Sequence, residues 1–243
     1  MKRKHLIYIL LTITLIDGCS NSSFDTVERI PFVEQLIKQM TIEEKVGQTA
    51  QITLDVITKG QNPYSSDEPL QMDNQLIEEA ITKYHLGSVL NTANNKARSV
   101  NTWHHIVSSI QNIAIQNSRL KIPIIYGIDA IHGATYTTEA TMFPQQIAQA
   151  ATWNRDLVYQ TAKATAAEVR ASNIPLNFSP VLDLGADPRW ARIWETFGED
   201  PYLISEMGTE VVNGYQGKQL RDSTSGAACV KHFVGYSTLA SSG

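Results

Sequence analysis

The sequence predicts an α/β chain in which a parallel sheet is covered by helices. Three observations point there. Short, nearly unbroken apolar runs lie at 87–90, 121–127, 176–182 and 227–234, the pattern of strands buried on both faces. Longer segments between them carry apolar residues at helical spacing behind polar caps. The chain has 243 residues, 42% hydrophobic and 18% charged, enough for a sizeable core and unlike a disordered chain. Roughly five strand–helix units fit. A doubly wound open sheet and a (β/α)8 barrel both satisfy this pattern. No G-x-G-x-x-G follows the first strand, which weighs against a dinucleotide-binding version.

The elements follow in order. Lys2, Arg3 and Lys4 precede an apolar run over 6–16, and Asp17, Gly18 and Cys19 come next. A charged head, a short greasy middle and a small residue at the cut make a secretory signal. The stretch Ile16-Asp17-Gly18-Cys19 resembles a bacterial lipobox. The expectation is a lipoprotein signal peptide at 1–18, lipidation at Cys19 and a tether at 19–29. The protein is then an exported cell-envelope lipoprotein, in the periplasm or at the outer membrane, meeting the membrane through its lipid anchor. Plain cleavage with Cys19 incidental is the alternative. Cys229 then reads as a small buried hydrophobe.

Thr41 with Glu44 three residues on forms a capping box, with Ile42, Val46 and Ala50 on one helical face. The first strand falls within 49–56. A helix is expected over 71–84, then a strand at 87–90. Val100, Trp103, Val107, Ile110 and Ala114 mark a helix over 99–117, followed by the strand at 121–127. Asn154 caps a helix reaching about Ala171, and the strand at 176–182 follows. The last helix covers 201–217 and the last strand 227–234.

Lys plus Arg number 20 and Asp plus Glu 24, a net charge of −4. Nucleic-acid binding would call for a basic excess, so it is excluded as a partner class. Two cysteines cannot build a disulfide scaffold or a cysteine-rich metal site. His104 and His105 are adjacent on a helix and point apart, so they make no metal pair. No metal and no cofactor is expected.

Polar groups follow the apolar runs: Asp129 after the third strand, Asp183 after the fourth, and Lys231 and His232 after Ala227 to Val230 of the fifth. The carboxyl ends of parallel strands open onto the site in such folds. Carboxylate, guanidinium, ammonium and imidazole in one bowl suit a neutral polyol, whose hydroxyls both donate and accept.

Three blocks then carry a resemblance. They are Tyr126-Gly127-Ile128-Asp129-Ala130-Ile131-His132-Gly133, then Asp187-Pro188-Arg189-Trp190-Ala191-Arg192 leading to Glu195 and Gly198-Glu199-Asp200-Pro201, and Lys231-His232-Phe233. In order and spacing they resemble glycoside hydrolase family 3, of the β-glucosidase type. The resemblance implies a (β/α)8 TIM-type barrel followed by an α/β sandwich domain, so 30–243 is expected to be the amino-terminal part of that barrel. It implies removal of terminal non-reducing β-D-glucosyl residues from β-glucosides or β-glucan oligosaccharides, by a retaining mechanism with two carboxyls ~5 to 5.5 Å apart.

Residue by residue, the resemblance assigns Asp129 to clamping hydroxyls of the terminal sugar. Arg192 serves the same subsite, with Arg189 as the nearby alternative, and Lys231 and His232 bind the same unit. Ala191 stands where the family usually has Gly. Glu199 and Asp200 cap or brace the following helix, Asp183 binds loop amides, and a structural role suits His132. The nucleophile's Ser-Asp-Trp-like stretch does not occur here. The nucleophile and the acid/base are expected beyond Gly243, and these residues alone are expected to be inactive. A β-xylosidase, a β-N-acetylhexosaminidase of the same family, or a non-catalytic sugar-binding lipoprotein are the alternatives.

Overall fold

The computed structural model describes residues 30–233 and 235–238. The expected signal peptide at 1–18, Cys19 and the tether at 19–29 lie outside the described residues. The chain divides into two units, Met1–Gln39 and Met40–Gly243. Of the first, helix α1 (Pro31–Gln39) is described; it starts on Pro at its first turn and leaves Phe32, Val33 and Ile37 exposed.

The second unit is built on five parallel strands: β1 (Gln51–Thr53), β2 (Ser88–Leu90), β3 (Ile125–Ile128), β4 (Leu176–Asn177) and β5 (Ala227–Ala228). Their spatial order is β1-β2-β3-β4-β5. A doubly wound sheet reverses its order at a switch point, and these strands do not. The alternative left open by periodicity is thereby removed.

Helix α2 (Ile42–Gln48) carries the full capping box: the Thr41 hydroxyl accepts from Glu44 N–H and the Glu44 carboxylate accepts from Thr41 N–H. Its orientation differs from expectation. Ile42 and Val46 are exposed and Glu44 is buried. Arg119 explains this, since it binds the Glu44 carboxylate through Nε at 2.9 Å and Nη2 at 2.5 Å and draws the capping face inward. The expected helix over 71–84 is α3 (Asn74–Glu78), capped by Asp73, running into a π-turn at Glu79–Lys83. Ile77 and Ile81, four residues apart on one face, are buried while Leu76 is exposed. Helices α4 (Val100–Asn117) and α6 (Arg155–Ala171) begin at Ser99 and Asn154, whose side chains accept from main-chain N–H groups. Between them lies the short α5 (Gln146–Ala150). Helix α7 (Pro201–Gln216) is capped by Asp200.

Two strands are shorter than their apolar runs. β4 stops at Asn177 because Pro180 has no N–H for the ladder and Ser179 N–H turns back to the Asn177 carbonyl. Pairing resumes irregularly: Lys231 N–H reaches the Pro180 carbonyl and Leu182 N–H the Lys231 carbonyl. β5 is therefore also short, and its continuation leans on the loop after β4. The Ser179–Pro180 and Lys231–His232 peptides are cis.

The main core packs Trp103, Ile106 and Ile110 of α4 against Val89, Tyr126 and Ile128 of the sheet. A second cluster joins Val158, Ala162 and Ala166 of α6 to Ile204, Met207 and Val211 of α7. Together they bury one face of each helix, the main source of helical stability in a globular chain.

Two carboxylates make stability sensitive to acid. The Arg119 hydrogen bonds hold Glu44 at about 2, against an ordinary 4.5. The paired bonds from Arg98, at 2.6 and 2.8 Å, hold Glu68 at about 2. Each pKa is lower in the folded than in the unfolded chain. The stability they contribute is therefore full above about pH 5 and is lost as pH falls through 4.5 toward 2. Thermal melting in a pH series is expected to drop across that window. Glu68→Gln is expected to melt lower at pH 7 and to show a shallower acid drop; an unchanged profile would remove Glu68 from the account.

Candidate functional site

The carboxyl ends of the strands carry the polar groups. Asp129 follows β3 directly, and its segment is held from both neighbouring strands. On one side, Asn91 leaves β2 at φ 56°, a conformation asparagine tolerates better than most residues. Its side-chain oxygen accepts from Asp129 N–H at 3.0 Å, and its amide donates to Asp129 Oδ2 at 2.9 Å. On the other side, the Asn177 side chain exchanges both hydrogen bonds with the Ala130 main chain, each 2.9 Å. The two asparagines extend the ladder where the strands diverge.

Lys231 arrives from beyond β5 and places Nζ 2.5 Å from Asp129 Oδ1. The lysine side chain is 14% exposed. Both carboxylate oxygens thus have a fixed partner, Asn91 on one and Lys231 on the other. Such charge-assisted bonds set direction as well as energy. Next to it, His232 turns Nδ1 to Asp183 Oδ2 at 2.7 Å, and its main-chain N–H donates to the same oxygen at 3.2 Å. Asp183 thus binds a loop amide, and it also orients the imidazole. Nδ1 donates to the carboxylate, which leaves Nε2 as the ring's other face.

Arg192 stands in the loop before α7. Glu195 takes its Nε at 2.7 Å and its Nη2 at 2.5 Å, and that pairing raises the guanidinium pKa further above its ordinary value. The guanidinium also lies over the Tyr236 ring, 5.5 Å from its centroid.

Asp129, Arg192, Lys231 and His232 line one open cleft of about 230 Å³, with Gln51, Leu90, Phe178 and Cys229. The four residues expected to share a subsite are brought together. Gly127 is what lets Phe178 form the floor: a Cβ there would stand 2.3 Å from the Phe178 ring. Cys229, expected to be buried, is half-buried and borders the cleft.

Arg189, the alternative to Arg192, is largely exposed and paired with Asp187. His132 points Nδ1 at the Phe143 carbonyl, 2.9 Å away, and His104 points Nε2 at that of Ala171. Among the described residues no cluster of three His, Cys, Asp or Glu could hold a metal. Asp129 is the one carboxylate among the residues lining the cleft, so the cleft as described has groups for holding hydroxyls and lacks a facing carboxyl pair. Sequence reasoning missed Asn91, Asn177 and Tyr236 and gave Glu195 no role. A signal existed for Asn91 alone, which directly follows the expected strand at 87–90; Asn177 falls inside the expected strand at 176–182 and ends β4 only in the structure.

The family model described as "Glycosyl hydrolase family 3 N terminal domain" matches residues 41–243. A lysosomal beta glucosidase of Dictyostelium discoideum is 36% identical over 221 residues, covering 86% of this chain and 26% of that protein. A periplasmic beta-glucosidase of Salmonella typhimurium is 33% identical over 211 residues, 87% of this chain and 24% of that protein. The solved structure of a beta-glucosidase from Listeria innocua in complex with glucose superposes with a TM-score of 0.67 at 34% identity, covering 85% of this chain and 27% of that one. The chain spans about a quarter of the length of these relatives.

Proposed function

We propose the following reading of a chain that belongs to glycosyl hydrolase family 3: it is the amino-terminal barrel portion of a β-glucosidase, and it supplies the pocket for the terminal, non-reducing glucosyl unit. One observation carries the reading. Asp129, fixed by Asn91 and by Lys231 from 102 positions away in sequence, opens onto the same cleft as Arg192 and His232. The carboxylate accepts from two sugar hydroxyls, the ammonium and guanidinium donate to others, and the imidazole meets the sugar through Nε2. The unreversed strand order supports a barrel wall.

The established chemistry of retaining glycosidases needs two carboxyls, one attacking the anomeric carbon and one protonating the leaving oxygen. Those groups lie outside this chain in the proposal. The chain contributes orientation of the sugar, which lowers the barrier only when the reacting carboxyls are supplied. Export is supported by the amino-terminal sequence and by the Salmonella relative, whose name places that protein in the periplasm. Lipid attachment at Cys19 rests on the sequence Ile16-Asp17-Gly18-Cys19.

The test is a pair of measurements on the purified chain. Glucose is expected to bind in a calorimetric titration, and 4-nitrophenyl β-glucoside is expected to release no nitrophenol. Release of nitrophenol would overturn the division of labour. A flat glucose titration would overturn the glycone pocket itself.

A further inference from the structure

Tyr236 lies outside the three sequence blocks that mark the site, and it touches two of them. Gly235, at φ 87°, starts a turn closed by Thr238 N–H on the Gly235 carbonyl at 3.1 Å. That turn brings the Tyr236 ring back to 4.7 Å from the His232 ring, tilted by 55°. The same ring carries the Arg192 guanidinium on its face at 5.5 Å and meets Trp190 edge-on at 5.6 Å. Trp190 is buried, so the ring leans on a firm wall.

Arg192 and His232 come from loops 40 positions apart in sequence and share no direct hydrogen bond among those described. Glu195 fixes Arg192 and Asp183 fixes His232, each by its own carboxylate. The Tyr236 ring meets both groups. We propose that Tyr236 is a positioning residue for the glycone pocket: its ring face sets the guanidinium of Arg192 and the imidazole of His232 in one fixed relation, so that both groups meet the same sugar. The proposal rests on the glycone reading above. Stacking of a guanidinium on a tyrosine is a modest attraction at a half-exposed site, but here the same ring restrains two groups at once.

The test compares Tyr236→Leu and Tyr236→Phe in the full chain, with glucose as the probe. Tyr236→Leu is expected to weaken glucose binding about tenfold, and Tyr236→Phe, which keeps the ring, to stay within about threefold. The ring protons of His232 report separately by NMR. They lose the ring-current shift from Tyr236 in the leucine variant and keep it in the phenylalanine variant. Thermal melting confirms that each variant is folded at the titration temperature. Unchanged affinity in a folded Tyr236→Leu overturns the proposal, even if its melting point falls. Equal loss in both variants also overturns it, because the hydroxyl would then matter and the ring would not. If the unsubstituted chain fails to bind glucose, the glycone reading fails first and takes this one with it; binding by that chain with no difference among variants removes Tyr236 alone.

Discussion

Asp129→Ala is expected to lower glucose affinity at least about a hundredfold and to lower stability by about 1–3 kcal/mol. The affinity loss follows from the removal of the cleft's one carboxylate acceptor. Two charge-assisted hydrogen bonds to hydroxyls, each contributing about 1.5–3 kcal/mol, account for a factor of that size. The stability loss follows from Lys231. Its ammonium sits 2.5 Å from Asp129 Oδ1, on a side chain only 14% exposed. Without the carboxylate it keeps its burial and loses its partner. Asp129→Asn separates the two effects: it preserves the shape and the contact surface with Asn91, but presents no charge to Lys231. It is expected to bind glucose weakly and to melt between the alanine variant and the parent. Calorimetry and thermal melting check both. Parent-like affinity in Asp129→Ala would remove Asp129 from sugar binding.

Trp103→Ala is expected to cost about 3–5 kcal/mol. Trp103 is fully buried on α4. Its ring meets Tyr126 edge-on at 5.8 Å and 77°, and its Nε1 donates to the Tyr136 carbonyl at 3.0 Å. That carbonyl also accepts from Arg98 N–H at 2.9 Å, so the carbonyl keeps one bond when the indole goes. The loss is therefore mainly a cavity term. It also reaches the site, because the Tyr126 hydroxyl donates to the Asn91 carbonyl at 2.6 Å and Asn91 holds Asp129. Urea unfolding is expected to show the lower midpoint. Glucose affinity of the folded variant is expected to fall modestly, with the lining residues all still present. A loss of unfolding free energy under about 1 kcal/mol would mean that the neighbours collapse into the space.

Much of this was legible in the residues. The capping signals worked because they are local: Thr41 with Glu44, Asn154 and Asp200 each need only the next turn of chain. The α/β class was legible because buried parallel strands read as apolar runs. Strand length was not, since a run such as 176–182 records burial and says nothing of the missing N–H of Pro180 or of the turn at Ser179. The inward turn of α2 was not legible either. It depends on Arg119, 75 positions from Glu44, and pair contacts at that range leave no periodic trace.

The cleft shows the same division. Asp129, Lys231 and His232 stood out as titratable groups after apolar runs, and Arg192 was assigned because the three blocks together resemble a known family. Asn91 did not stand out, since asparagine after a strand commonly marks an ordinary turn, and Asn177 did not, since it lies inside the run 176–182 read as strand. Their work appears only when the strands lie side by side. Tyr236 was hidden by its turn, which folds it back over residues it does not neighbour in sequence.

The central claim is that one pyranose ring is held jointly by Asp129, Arg192, Lys231 and His232. A crystal structure of the chain grown with glucose tests it most directly. The account predicts a single glucose in the cleft, with hydroxyls within hydrogen-bonding distance of the Asp129 carboxylate and the Lys231 ammonium, and with Arg192 and His232 facing the same ring. Glucose seated elsewhere, with the Asp129–Lys231 pair closed and untouched, would contradict it.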